Sequence, residues 1–153
     1  MVVTLVGCSN INNKEQVATD KSFAEKIEVA DLNGNKINLS DYNGKRIILN
    51  IWATWCKPCI QEMPSLEVMQ QNLPVDKYVL LLASAEEVGK IKKLKDRNSY
   101  QLQFVQLQTS QESLGIYSLP TTFIIDENGE LLVTENGMRD WGKPEVIQEI
   151  EQL

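Results

Sequence analysis

Histidine is absent from this chain of 153 residues. That removes Ser-His and Cys-His catalysis, histidine-bearing zinc or copper sites and histidine haem ligation. Any acid–base step must fall to a carboxylate, a thiol, a lysine, a tyrosine or water. Cysteine is scarce: three residues are too few for a disulfide-rich scaffold. Positive charge is also in deficit. Fifteen Lys plus Arg stand against 21 Asp plus Glu, a net charge of −6, so no global attraction to nucleic acid or anionic lipid is expected. No segment approaches the ~20 apolar residues of a membrane span. Nothing in the composition calls for a bound cofactor or metal.

What remains suits one domain, long enough to bury a sizeable core unaided. Positive charge does concentrate locally, at Lys90, Lys92, Lys93 and Lys95. Their spacing reads as the solvated face of a helix.

The chain opens on an apolar stretch that stops at Cys8. Leu5-Val6-Gly7-Cys8 resembles the lipobox of bacterial lipoproteins, which implies lipidation of Cys8 and an extracytoplasmic, membrane-tethered protein. A complete signal opens with Lys or Arg and carries roughly 7–15 apolar residues. Here the first basic residue is Lys14 and the run is shorter. An incidental cysteine near a frayed terminus is the other reading. Residues 1–26 are read as a signal remnant and polar linker, and 27–153 as the domain.

Residues 27–39 read as a hairpin turning at Asn33-Gly34, since both residues tolerate positive φ. Ser40 is the expected cap of a short turn. Residues 46–52 form a nearly unbroken apolar run, the pattern of a strand covered on both faces. A helix is predicted from Lys57, with Pro58 in its first turn, an apolar stripe of Ile60, Met63, Leu66 and Met69, and a kink at Pro64. A second buried strand covers 78–83, followed by an amphipathic helix over 86–97 with Val88, Ile91 and Leu94 inward. A short strand at 104–107, a hairpin across Asn128-Gly129 and a closing helix over 143–152 complete the order. Strands alternating with helices and ending in an antiparallel hairpin give an α/β domain: a central mixed sheet with helices on both faces and an N-terminal hairpin extension.

The densest chemistry lies in Trp52-Ala53-Thr54-Trp55-Cys56-Lys57-Pro58-Cys59, an apolar strand running into a Cys-x-x-Cys pair. Two sulfurs at this spacing can close and reopen a disulfide, and a helix N-terminus acidifies the first of them. Zinc sites share the spacing, and an inert disulfide would too. The segment resembles the active-site signature of the thioredoxin superfamily, and Leu119-Pro120-Thr121-Thr122-Phe123 resembles its second signature, whose proline is cis. The leading hairpin, the extra strand and helix between the signatures, and Glu62-Met63-Pro64 resemble the TlpA/ResA-like extracytoplasmic thiol-disulfide oxidoreductases, related to the AhpC/TSA redoxins.

That resemblance implies a thioredoxin-like fold over 27–153 and a dithiol–disulfide cycle. Cys56 would be the attacking thiol and Cys59 the resolving one. Leu119 and Pro120 would meet the substrate, with Trp55 as an apolar contact. Glu62 falls on the family's buried glutamate and would exchange a proton with Cys59; an ordinary exposed helix glutamate is the competing reading. Asn50 occupies the strand position that is acidic in cytoplasmic thioredoxins, and cannot take up that proton. Trp52 and Trp55 read mainly as packing. The implied partners are disulfide-bearing exported clients, such as apocytochromes c, and an upstream membrane dithiol donor. A redox-inert lipoprotein using this scaffold as a binding module is the alternative.

Overall fold

The computed structural model describes residues 21–153. In chain order its strands are β1 (Val29–Ala30), β2 (Lys36–Ile37), β3 (Arg46–Ile51), β4 (Tyr78–Ser84), β5 (Gln103–Leu107), β6 (Thr121–Ile125) and β7 (Leu131–Asn136). The α-helices are α1 (Lys57–Asn72), α2 (Val88–Asn98) and α3 (Pro144–Gln152). Single 3-10 turns cover Ala24–Lys26, Leu39–Tyr42 and Glu112–Leu114.

The apolar run becomes β3, buried along all but its first residue. It pairs in parallel with β4 and antiparallel with β6, and β4 pairs in parallel with β5. Antiparallel strands close both sides, giving a mixed sheet in the order β2-β1-β5-β4-β3-β6-β7. Alternation along β3 divides its side chains between two cores. Ile48 faces the layer built by Met63, Leu66 and Met69 of α1, Ile91 of α2 and Ile150 of α3. Ile47, Leu49 and Ile51 face the other layer, with Ala24, Leu39 and Ile116. Helical elements thus lie on both faces, as expected, but unevenly. All three α-helices share one face, and the 3-10 turns cover the other.

Two local expectations need correction. The leading hairpin is only two residues per strand, because Ile27 closes one 3-10 turn and Asn38 caps the next. The Asp31 carboxylate holds the hairpin turn, accepting from the backbone N–H of Asn33 and Asn35, both at 2.8 Å. Ser40 caps nothing; it lies inside the 3-10 turn, whose N-cap is Asn38. As expected, α1 carries Pro64 inside its 16 residues.

The packed chain also starts upstream of residue 27. Ala24 is buried, its N–H bonds the Gly129 carbonyl at 2.9 Å, and Phe23 sits edge-on to Phe123 at 5.1 Å between centroids. Gly129 has φ +87°, and a Cβ there would meet the Ser22 hydroxyl at 3.0 Å. Glycine is therefore required twice over, by the turn and by the segment lying on it.

Candidate active site

The parallel pairing of β3 and β4 aims the end of β3 at one rim of the sheet. Trp52 follows, fully buried and edge-on to Phe104 at 5.5 Å. The chain then turns through Ala53-Thr54-Trp55, closed by the Cys56 N–H on the Ala53 carbonyl at 3.1 Å. A carboxylate from the end of β4 holds this turn. The Thr54 N–H and hydroxyl donate to the two Glu86 oxygens at 2.6 and 2.8 Å.

Cys56 is the N-cap of α1, and Pro58 is tolerated in the first turn, where no intrahelical N–H is needed. The Cys56 Sγ accepts the Cys59 N–H at 3.3 Å. Cys56 and Cys59 form a disulfide, with their Cα atoms 5.3 Å apart. Cys56 keeps 4 % of its surface exposed and Cys59 none. Of the pair only Cys56 keeps any surface, and its sulfur meets the positive end of the helix dipole, which favours thiolate.

One turn further along α1, Glu62 is 2 % exposed, which excludes the exposed-helix reading. Three donors surround its carboxylate: Asn50 Nδ2 at 2.8 Å on Oε1, and the Arg139 N–H and Trp141 Nε1, both at 3.1 Å, on Oε2. Burial raises its pKa above the usual carboxylate range, and the three hydrogen bonds oppose that without cancelling it. The Arg139–Trp141 segment is itself fixed. Arg139 pairs with Glu135 at 3.5 Å and with Glu149, and lies over the Trp141 ring at 5.4 Å.

Asn50 also donates to Thr122 Oγ1 at 2.9 Å, while its own Oδ1 has no partner. Thr121 pairs with Ile51 across β6 and β3, which brings Pro120 beside the start of the cysteine turn. The Leu119–Pro120 peptide is cis. Pro120 is buried, and Leu119 is half-buried at the rim. The two tryptophans read together as packing separate here: Trp52 is core, whereas Trp55 is 73 % exposed.

The fold therefore gathers Cys56, Cys59, Glu62, Trp55, Leu119 and Pro120 around one rim. Cys8 lies outside the described residues. Sequence reasoning missed Glu86, Arg139 and Trp141. Glu86 had a signal, a carboxylate just past a buried strand, but 32 residues separate it from Thr54. Trp141 is 79 residues from Glu62 and sits in no periodic pattern.

Residues 21–133 match the AhpC/TSA family. Thioredoxin-like protein YneN of Bacillus subtilis (strain 168) is 34 % identical over 142 residues, covering 84 % of this chain and 82 % of that protein. Thiol-disulfide oxidoreductase ResA of Bacillus thuringiensis (strain Al Hakam) is 36 % identical over 124 residues, covering 78 % and 70 %. Among solved structures, the exposed lipoprotein thioredoxin Etrx1 of Streptococcus pneumoniae strain TIGR4 superimposes with a TM-score of 0.71 at 26 % identity, covering 82 % of this chain and 98 % of that one. On these matches and this geometry, the chain belongs to the AhpC/TSA family and, within the thioredoxin superfamily, to the ResA-like thiol-disulfide oxidoreductases.

Proposed function

We propose that the chain reduces disulfides in exported client proteins, cycling Cys56 and Cys59 between dithiol and disulfide. The observation that carries this reading is the asymmetry of the pair: Cys56 caps the helix N-terminus and keeps a little surface, while Cys59 a turn behind it keeps none. The Cys56 thiolate attacks one sulfur of the client disulfide, forming a mixed disulfide and releasing the other client sulfur as a thiolate, which takes up a proton. Glu62 accepts the Cys59 proton. The Cys59 thiolate then attacks Cys56 Sγ, and the client leaves with its second thiol. Two electrons pass to the client, and Cys56–Cys59 becomes a disulfide.

An upstream membrane dithiol restores the reduced pair. Trp55 and the Leu119–Pro120 rim receive the client segment, and apocytochromes c awaiting haem attachment are suitable clients. Lipidation at Cys8 would hold the domain outside the cytoplasm, a reading supported by the resemblance of Leu5-Val6-Gly7-Cys8 to a lipobox. No helix among the described residues is long and apolar enough to cross a membrane.

Cys59→Ser is the test. Incubated with a disulfide-bearing protein, it should accumulate a mixed disulfide through Cys56, and Cys56→Ser should form none. Equal trapping by both variants would overturn the assignment of roles. Direction follows from equilibrating the wild-type pair against dithiols of known potential. A pair that stays reduced in the presence of client disulfides would refute reduction.

A further inference from the structure

The outward face of α2 is cationic in a protein of net charge −6. Lys90, Lys93 and Arg97 line a cleft of about 350 Å³ with Asn98, the half-buried Leu94, and Thr54 of the cysteine turn. Thr54, two residues before Cys56, is the cleft's one lining residue from the cysteine turn. Glu86 lies within 4.0 Å of Lys90 but is already committed to Thr54, and among the described residues no carboxylate pairs with Lys93 or Arg97. A solvated helix face explains lysines on α2. It does not explain why they converge with the catalytic turn on a concavity with a partly apolar wall.

We propose that this cleft binds acidic side chains flanking the target cysteine of an extended client polypeptide. The inference rests on the reductase reading and names a class of client for it. Because Thr54 ties the cleft to the cysteine turn, the favoured client carries Asp or Glu close in sequence to its cysteine. Leu94 takes the aliphatic part of those side chains, and Lys93 and Arg97 take their carboxylates. The contacts are exposed, so they steer and orient more than they bind tightly.

The experiment compares two disulfide-bonded peptides of equal length, one with Asp three residues from its cysteine and one with Asn there. Reduction by wild type should favour the acidic peptide about threefold in kcat/KM at low salt. The preference should collapse near 1 M salt, where screening reaches ~3 Å. Lys93→Glu with Arg97→Glu should abolish or invert it, while Lys143→Glu, a reversal away from the cleft, should preserve it. Equal kcat/KM for the two peptides in wild type, or a preference that survives the double reversal, overturns the proposal.

Calorimetric binding of the same peptides with Ser replacing Cys makes the comparison without turnover. Acidic-peptide binding lost on double reversal therefore supports the cleft even if the reductase reading fails. Binding of phosphatidylglycerol vesicles that the double reversal removes, with no discrimination between peptides, would reassign the patch to a membrane surface and overturn the client reading.

Discussion

Replacing Glu62 with Gln separates its chemistry from its structural place. The carboxylate is buried among three donors, so a neutral amide must still satisfy the Arg139 N–H and Trp141 Nε1. The Gln oxygen can do that, leaving its NH₂ facing Asn50. Rotating the Asn50 amide then presents Oδ1, which has no partner now, to that NH₂ and to Thr122. One unpaired polar atom exists before the substitution and one after it. Leaving a buried group unmade costs ~1–3 kcal/mol, so with the count unchanged the variant should keep its stability within ~1 kcal/mol at neutral pH.

The pH dependence should change. Burial raises the folded pKa of Glu62, so the native state binds a proton that the unfolded chain has already lost. Wild-type stability from this group is therefore greatest below the ordinary carboxylate range and falls as pH rises through the raised value. Glu62→Gln should lack that fall. The exchange rate should drop by ~10²-fold or more, the scale of one general acid–base group, and the rise in rate through the Glu62 pKa should vanish. Denaturant unfolding and stopped-flow reduction of a peptide disulfide, each from about pH 5 to about pH 9, read both effects. An unchanged pH–rate profile in a folded variant would refute the proton role.

Trp141→Phe removes one of the bonds that favours the Glu62 anion, so its pKa should rise further; an upward move in the inflection of the pH–rate profile checks this. Glu86→Ala frees the turn carrying Cys56 and should cost ~1–3 kcal/mol in chemical denaturation, with a measurable shift in the reduction potential of the pair. Trp55→Ala should change stability by less than ~0.5 kcal/mol yet raise KM for protein clients while sparing a small disulfide. Trp52→Ala, in the core against Phe104, should cost ~3–5 kcal/mol by the same unfolding assay.

Periodicity made β3, β4 and the α1 stripe legible, because burial on both faces of a strand or one face of a helix writes itself into local spacing. The cysteine pair and Pro120 were legible as motifs. Glu62 could be nominated from its place one turn after Cys59, and its burial from the family resemblance, but not its partners Trp141 and Arg139, which arrive from the far end of the chain. The Thr54–Glu86 bonds were invisible for the same reason: hydrogen bonds across strands leave no period. The packing of Phe23 and Ala24 was missed because residues 21–26 are polar overall, and two apolar side chains make no pattern. The shared face of α1 and α2 follows from β3, β4 and β5 advancing in one direction across the sheet. Successive right-handed crossovers then fall on the same side, a property of strand order that no local window contains.

The seat of Ser22 and Ala24 on Gly129 governs how the domain can be approached. Gly129 turns at the end of β6 remote from Thr121, and Ala24 packs on the side of the sheet that carries none of the three α-helices. The Ser22–Ala24 segment thus packs at the far end and opposite face of the sheet from the cysteine pair. A guest reaching Cys56 therefore meets a rim that this segment does not crowd.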